Sequence, residues 1–407
     1  MDNKDNLLFQ PIDPLLNPNL FGHKDCENAF ISAMQSGHCH HAWLLSGIKG
    51  IGKFTFACRV ARFIFSTIPD VQNEPMTFWQ NKKVDLPNNF EDGFNFDDLN
   101  DKAETKQNNY QNQIPNIKTT DTNISRLNIN TLQLNEYDEV FNKIKLGTFS
   151  DLKIISPDLV NNKKEIPIDD IRKIYDFFHV SSSMHDYRVV IIDSIDDLNV
   201  NSANALLKIL EEPPEKTIFL LVCHKINNVL DTIKSRARIL NFKPLNDELI
   251  ERLLYENIKG IPANLVNDLN FLCSGSIGSA YDLYNSDIVI MIKSIKNLLQ
   301  SLPTGHPGNI VNFASDLDKN RYKFSAFKKL IIKAISFASQ LKLGISDISN
   351  LSENLQDIIK MISINIQDIE NLEEIKQKIE NLFYKCDEVN LDRESVIILT
   401  LKYLGGI

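Results

Sequence analysis

At 407 residues the chain exceeds what one hydrophobic core usually holds, so about two or three domains are expected. Hydrophobic residues make up 43% of it, which excludes a largely disordered chain. A formal net charge of −9 excludes a broad phosphate-gripping surface built by this chain alone, so any DNA contact is expected to be local or shared with basic partners.

The 6 cysteines show no short paired spacing, which argues against a zinc site or a disulfide framework. The first residues, MDNKDNLLFQPIDP, lack the positive segment and apolar run of a signal peptide. No stretch of about 18 apolar residues would span a bilayer. A cytoplasmic, reduced protein without a membrane partner is expected.

In chain order, residues 1 to about 68 predict a helix, a short strand over Ala42–Ser46, a glycine-rich turn, and a helix from Lys53. Residues 70–148 change character. Asn, Asp, Gln and Thr dominate without sustained period, as in a mobile surface insertion. Order resumes near Asp151: LKIIS predicts a strand, and PIDDIRKIYDFFHVSSS a helix with Asp169 and Asp170 in its first turn. Strand 188–193, helix 201–211, strand 217–223, a short helix through Leu230 to Lys234, and strand 238–242 follow. Short apolar runs alternating with helices indicate an α/β fold, a parallel sheet covered by helices on both faces. Pro213 and Pro214 end helix 201–211, since neither can donate an amide or continue the turn. Beyond Asp247 the pattern is three short helices to Asn285, then almost wholly helical to Ile407.

Between the first strand and its helix lies SGIKGIGKFT, residues 46–55. Gly47, Gly50, Gly52 and Lys53 fit a phosphate loop, whose glycines let backbone amides turn inward and whose lysine reaches the terminal phosphate oxygens. Phe54 departs from that pattern. A Ser or Thr hydroxyl normally stands there to ligate Mg²⁺, and phenylalanine has no ligand atom. Thr55 has a hydroxyl, but one residue further on turns it about 100° around the helix. Asp193, ending strand RVVIID, is the candidate magnesium-side carboxylate of this nucleotide site; a turn or cap residue is the plainer alternative. Ser194 follows it and cannot serve as a general base for water at neutral pH. Asp196 and Asp197 fall past the strand end and are expected to begin a turn and cap what comes next.

LDTIKSRARILNF sets Ser235 and Arg236 at a helix end before a strand, where spacing alone favours a solvated arginine. GHCHHAW (37–43) gathers His38, Cys39, His40 and His41, yet adjacent residues on one turn rarely converge on an ion. Glu211 and Glu212, at a helix end before two prolines, suggest structure or interface rather than paired catalysis.

The segments GHKDCENAF (22–30), HHAWLLSGIKGIGKFT (40–55), RVVIIDSIDDLNVNSANALLKILEEPPEKTIFLL (188–221) and LDTIKSRAR (230–238) together resemble the delta-prime family of AAA+ clamp-loader subunits in bacterial DNA polymerase III. The resemblance implies an AAA+ domain over 1–245 carrying the insertion 70–148, a small helical lid over 246–286, and a helical collar-type oligomerisation domain over 287–407. It also implies a pentamer with gamma/tau and delta subunits that loads a sliding clamp onto primer–template DNA during replication.

In that family the member is a rigid scaffold whose Ser-Arg motif completes a neighbour's ATP site. Carried over, Arg236, with Ser235, is the arginine acting in trans. Gly47, Gly50, Gly52, Lys53, Thr55 and Asp193 are remnants of a site for ATP or ADP without ordered Mg²⁺ and without zinc. Cys223 and His224 stand where ATPase members place hydroxyl residues sensing the γ-phosphate, and Gly278 stands where they carry an arginine. Little or no ATPase of its own is thus expected from this subunit of a DNA-directed DNA polymerase holoenzyme. The competing reading is an active gamma/tau-type ATPase, disfavoured by Phe54, Ser194, Gly278 and the missing zinc cysteines.

Overall fold

The computed structural model describes residues 13–36, 39–67, 132, 139–146, 149–157, 165–179, 187–301, 307–388 and 391–406. Most of the expected insertion 70–148 lies outside the described residues, as does His38.

Five strands form one sheet: β1 (Ala42–Ser46), β2 (Leu152–Ile155), β3 (Arg188–Asp193), β4 (Thr217–Cys223) and β5 (Arg238–Asn241). Their order is β2-β3-β4-β1-β5, and every neighbouring pair is parallel. Parallel neighbours require crossover connections, and the chain supplies them as helices. The alternation along each strand shows why both faces need cover. Trp43, Leu45, Val189, Ile191, Leu220 and Val222 enter one cluster, with residues of α1 (Lys24–Gln35) and α2 (Lys53–Thr67). Ala42, Leu44, Val190, Ile192, Phe219 and Leu221 enter the opposite cluster, with α4 (Ile168–His179) and α5 (Val200–Glu211). Burying each large apolar side chain contributes about 1.5–3 kcal/mol, so this two-sided pattern specifies a central sheet.

Helix α3 (Glu139–Lys145) lies inside the stretch expected to be a mobile surface insertion. Phe141 and Ile144 are buried, and the Arg62 guanidinium sits 4.9 Å from the Phe141 ring centroid. A single turn and a half of apolar spacing, set among Asn-rich sequence, carried too little periodic signal to stand out.

Helix α5 begins at Asn199, whose side-chain oxygen accepts from the Ser202 amide at 3.0 Å. It ends before the two prolines, as expected. A short helix, α6 (Asp231–Lys234), precedes β5. The lid region holds α7 (Asp247–Asn257), α8 (Ala263–Cys273) and α9 (Ile277–Asn285). Six further helices complete the chain: α10 (Ile288–Ser301), α11 (Pro307–Asp318), α12 (Arg321–Lys342), α13 (Glu353–Asn365), α14 (Ile369–Glu388) and α15 (Arg393–Leu404). One hydrophobic cluster runs without a break from Leu245 to Leu404, so the three short helices and the six that follow share a core.

Candidate functional site

The candidate nucleotide residues gather at the carboxyl ends of β1, β3 and β4, where open parallel sheets place their crevices. The Gly47 amide donates to the Cys223 carbonyl at 3.3 Å, tying the loop's first residue to the end of β4. Helix α2 is regular from its first turn, since the Phe56 amide donates to the Gly52 carbonyl at 2.9 Å. Phe54 packs against the cluster beneath α1 and α2, and Thr55 is buried one helical step away. No backbone shift brings the Thr55 hydroxyl to the position of residue 54.

Lys53 is turned back onto its own loop. Its ammonium donates to the Gly47 and Ile48 carbonyls at 2.6 Å each, and only 2% of the residue is exposed. Burial lowers its pKa to about 8, and the Asp193 carboxylate opposes that shift. Burial in turn raises the Asp193 carboxyl, while Lys49 and Lys53 draw it down. His224 faces the same crevice, its pKa lowered to about 4 by burial and by Lys53, so it is neutral at neutral pH.

The residues after Asp193 are committed elsewhere. Ser194 is buried and donates its hydroxyl to Asp197 Oδ2 at 2.8 Å. Asp196 accepts from the His224 and Lys225 amides at 2.5 and 2.8 Å. The expected turn is present as a 3-10 segment over Ile195–Asp197. What Asp196 caps, however, is the turn after β4 rather than the next helix.

Three hydrogen bonds onto the phosphate loop escaped sequence reasoning. His23 donates from Nε2 to the Ile51 carbonyl at 2.7 Å, which fixes the proton on that nitrogen because a carbonyl only accepts. From the lid, Ser276 Oγ donates to the Lys49 carbonyl at 2.6 Å and the Gly278 amide to the Gly50 carbonyl at 2.9 Å. A Cβ on Gly278 would fall 2.9 Å from Gly50 Cα, so the two backbones touch. Gly50 itself has φ of 83°, a left-handed conformation suited to glycine. GHKDCENAF stands among the family-like segments and Gly278 among the departures from them, but nothing in the sequence at either place points to a carbonyl of the loop.

Ser235 and Arg236 lie past the end of α6, away from this crevice in sequence and in contacts. Arg236 Nη1 donates to the Thr232 carbonyl at 2.9 Å and to Ser235 Oγ at 3.3 Å, and Nη2 reaches Glu211 Oε1 at 2.8 Å. About a third of the arginine side chain is exposed, 34%. In the histidine-rich segment, His41 Nε2 meets the Leu210 carbonyl at 3.1 Å, and its ring stacks on His40 with centroids 4.4 Å apart. No group of three metal-ligand side chains converges among the described residues, and no described helix is long and apolar enough to cross a membrane.

Residues 134–246 match the family model described as DNA polymerase III, delta subunit. Over 146 residues the chain is 30% identical to the DNA polymerase III subunit delta' of Bacillus subtilis, covering 36% of this chain and 42% of that one. It is 25% identical over 295 residues to the DNA polymerase III subunit gamma of Buchnera aphidicola, covering 70% of this chain and 63% of the relative. The matched region is therefore less than two thirds of either relative's length. Among solved structures, a DNA polymerase III gamma subunit-related protein of Thermotoga maritima aligns at 20% identity with a TM-score of 0.30, over 66% of this chain and 89% of that one.

Proposed function

The chain is a relative of the DNA polymerase III clamp-loader subunits, and on that premise we propose that it serves as the delta-prime member. In this reading it is a scaffold in a pentamer with gamma/tau and delta subunits, which together load a sliding clamp onto primer–template DNA. Its own site does not hydrolyse ATP, and Arg236, with Ser235, acts across the subunit boundary on a neighbour's γ-phosphate.

The observation that carries the reading is the closed phosphate loop. Lys53 is spent on the Gly47 and Ile48 carbonyls, and the lid residues Ser276 and Gly278 bond the Lys49 and Gly50 carbonyls. A phosphate held by the loop amides and Lys53 would first have to free that ammonium. A magnesium ion finds no ligand at Phe54, and no water-activating carboxylate follows Asp193. ATP or ADP at Gly47, Gly50, Gly52, Lys53 and Asp193 is thus a bound remnant at most, and the residues do not fit hydrolysis.

Arg236 supports the second half. It stands about a third exposed at a helix end with an always-charged guanidinium, suited to developing charge on a transferred phosphoryl group. The longer gamma alignment favours the rival reading, an ATPase of gamma/tau type, but Phe54 and Ser194 weigh against it. Hydrolysis assays on the isolated chain separate the two. Turnover at the background rate is expected, whereas turnover abolished by Lys53→Ala would establish the ATPase.

A further inference from the structure

Glu211 ends helix α5 immediately before Glu212, Pro213 and Pro214, and its Oε1 lies 2.8 Å from Arg236 Nη2. The two residues come from different elements: one closes α5, and the other follows α6. Around the guanidinium, Nη1 is fixed by the Thr232 carbonyl and Ser235 Oγ, and Nη2 by Glu211. Among the described contacts this leaves Nε–H and one Nη2 hydrogen of the fork uncommitted, two donors of the kind that pair with phosphate oxygens.

We propose that Glu211 is the positioning residue for Arg236, turning the open edge of the guanidinium toward a phosphoryl group carried by an adjoining subunit. The inference rests on the reading of Arg236 as an arginine acting in trans. Three features single out Glu211. Its carboxylate and the arginine are 50% and 34% exposed, so the uncommitted edge of the pair is open to an incoming phosphate. The prolines after Glu212 stop α5 from extending, so Glu211 stays at the helix end facing α6. The Thr232 and Ser235 contacts come from Arg236's own turn and anchor one nitrogen, Nη1; among the described residues only Glu211 ties the other nitrogen to the sheet domain.

The test uses the reconstituted assembly with its partner ATPase subunits, and reads kcat and KM for ATP separately. Glu211→Ala is expected to lower kcat about 10- to 100-fold at the affected site, as misplacement of a catalytic group does, with KM changed less than about twofold. Glu211→Gln keeps an acceptor for Nη2 and is expected to recover much of the loss. In an Arg236→Ala background, Glu211→Ala is expected to add nothing. If Arg236→Ala itself leaves the rate unchanged, the underlying reading fails. If Arg236→Ala lowers the rate while Glu211→Ala does not, or if Glu211→Ala lowers it further in the Arg236→Ala background, the positioning role is overturned.

Discussion

Lys53 is the residue of the candidate phosphate loop whose partners decide most. In a phosphate loop the ammonium points at oxygens supplied by the ligand. Here the oxygens are the loop's own Gly47 and Ile48 carbonyls, and burial brings the pKa down to about 8. The sign of the consequence follows from linkage. The folded chain gives up this proton more readily than the unfolded chain, so between about pH 8 and the ordinary lysine value of 10.5 the Lys53 contribution to stability rises with pH. Phosphate attraction runs the opposite way, because the neutral amine has no charge to offer. Whatever affinity the isolated chain has for ATP is expected to fall as pH passes through about 8, measured by equilibrium dialysis at constant ionic strength. An affinity indifferent to pH across that range would mean that Lys53 does not meet the nucleotide.

At the scale of elements, the phosphate loop is closed from the lid. Ser276 and Gly278 open α9, and both bond to loop carbonyls; Lys329 from α12 donates to Ser279 Oγ at 2.6 Å on the next turn. The loop, the lid helix and a helix of the C-terminal region thus meet at one point. Gly278→Ala places a methyl 2.9 Å from Gly50 Cα, against backbone that cannot rotate aside. A loss of about 1–3 kcal/mol, the usual cost of overpacking, is expected in urea unfolding of the full chain. Unchanged stability would show that the lid stands further from the loop.

This junction was not legible in the sequence, and the reason is physical. Ser276 and Lys49 are 227 positions apart, and a serine or glycine at a helix start carries no mark of which carbonyl it will meet. Strands β3 and β4 were legible for the opposite reason: each of their apolar residues is buried on one of two faces, so the runs at 188–193 and 217–223 stand out from helical spacing. Helix α3 fell between these cases. Val140, Phe141 and Ile144 make an apolar face only 7 residues long, too short to rise above its polar flanks. For the site, residue identities at Gly47, Lys53, Phe54, Asp193 and Arg236 could be read from pattern. The partners of Lys53, Ser194 and Arg236 could not.

Across the whole molecule, three places stand apart. The crevice at the ends of β1, β3 and β4 retains the form of a nucleotide site, but three of its polar side chains are committed internally, while the buried His224 Nδ1 has no partner among the described residues. Lys53 serves the loop, Ser194 serves Asp197, and Asp196 serves the turn after β4. The continuous core from Leu245 to Leu404 adds a large helical body to the side of the loop where the lid sits. Arg236 lies apart from both, held by Glu211 at the surface with donors to spare. A subunit arranged in this way would give its neighbour a fixed arginine rather than cycle through nucleotide states of its own.

That division is tested most directly by the DNA-stimulated ATP hydrolysis of the reconstituted clamp-loader assembly carrying single substitutions in this chain. Arg236→Ala is expected to slow the site it completes by about 10³-fold or more, the usual worth of such an arginine, and so to lower the summed rate of the assembly. Lys53→Ala is expected to leave that rate unchanged. A rate lost with Lys53→Ala and preserved with Arg236→Ala would contradict the account.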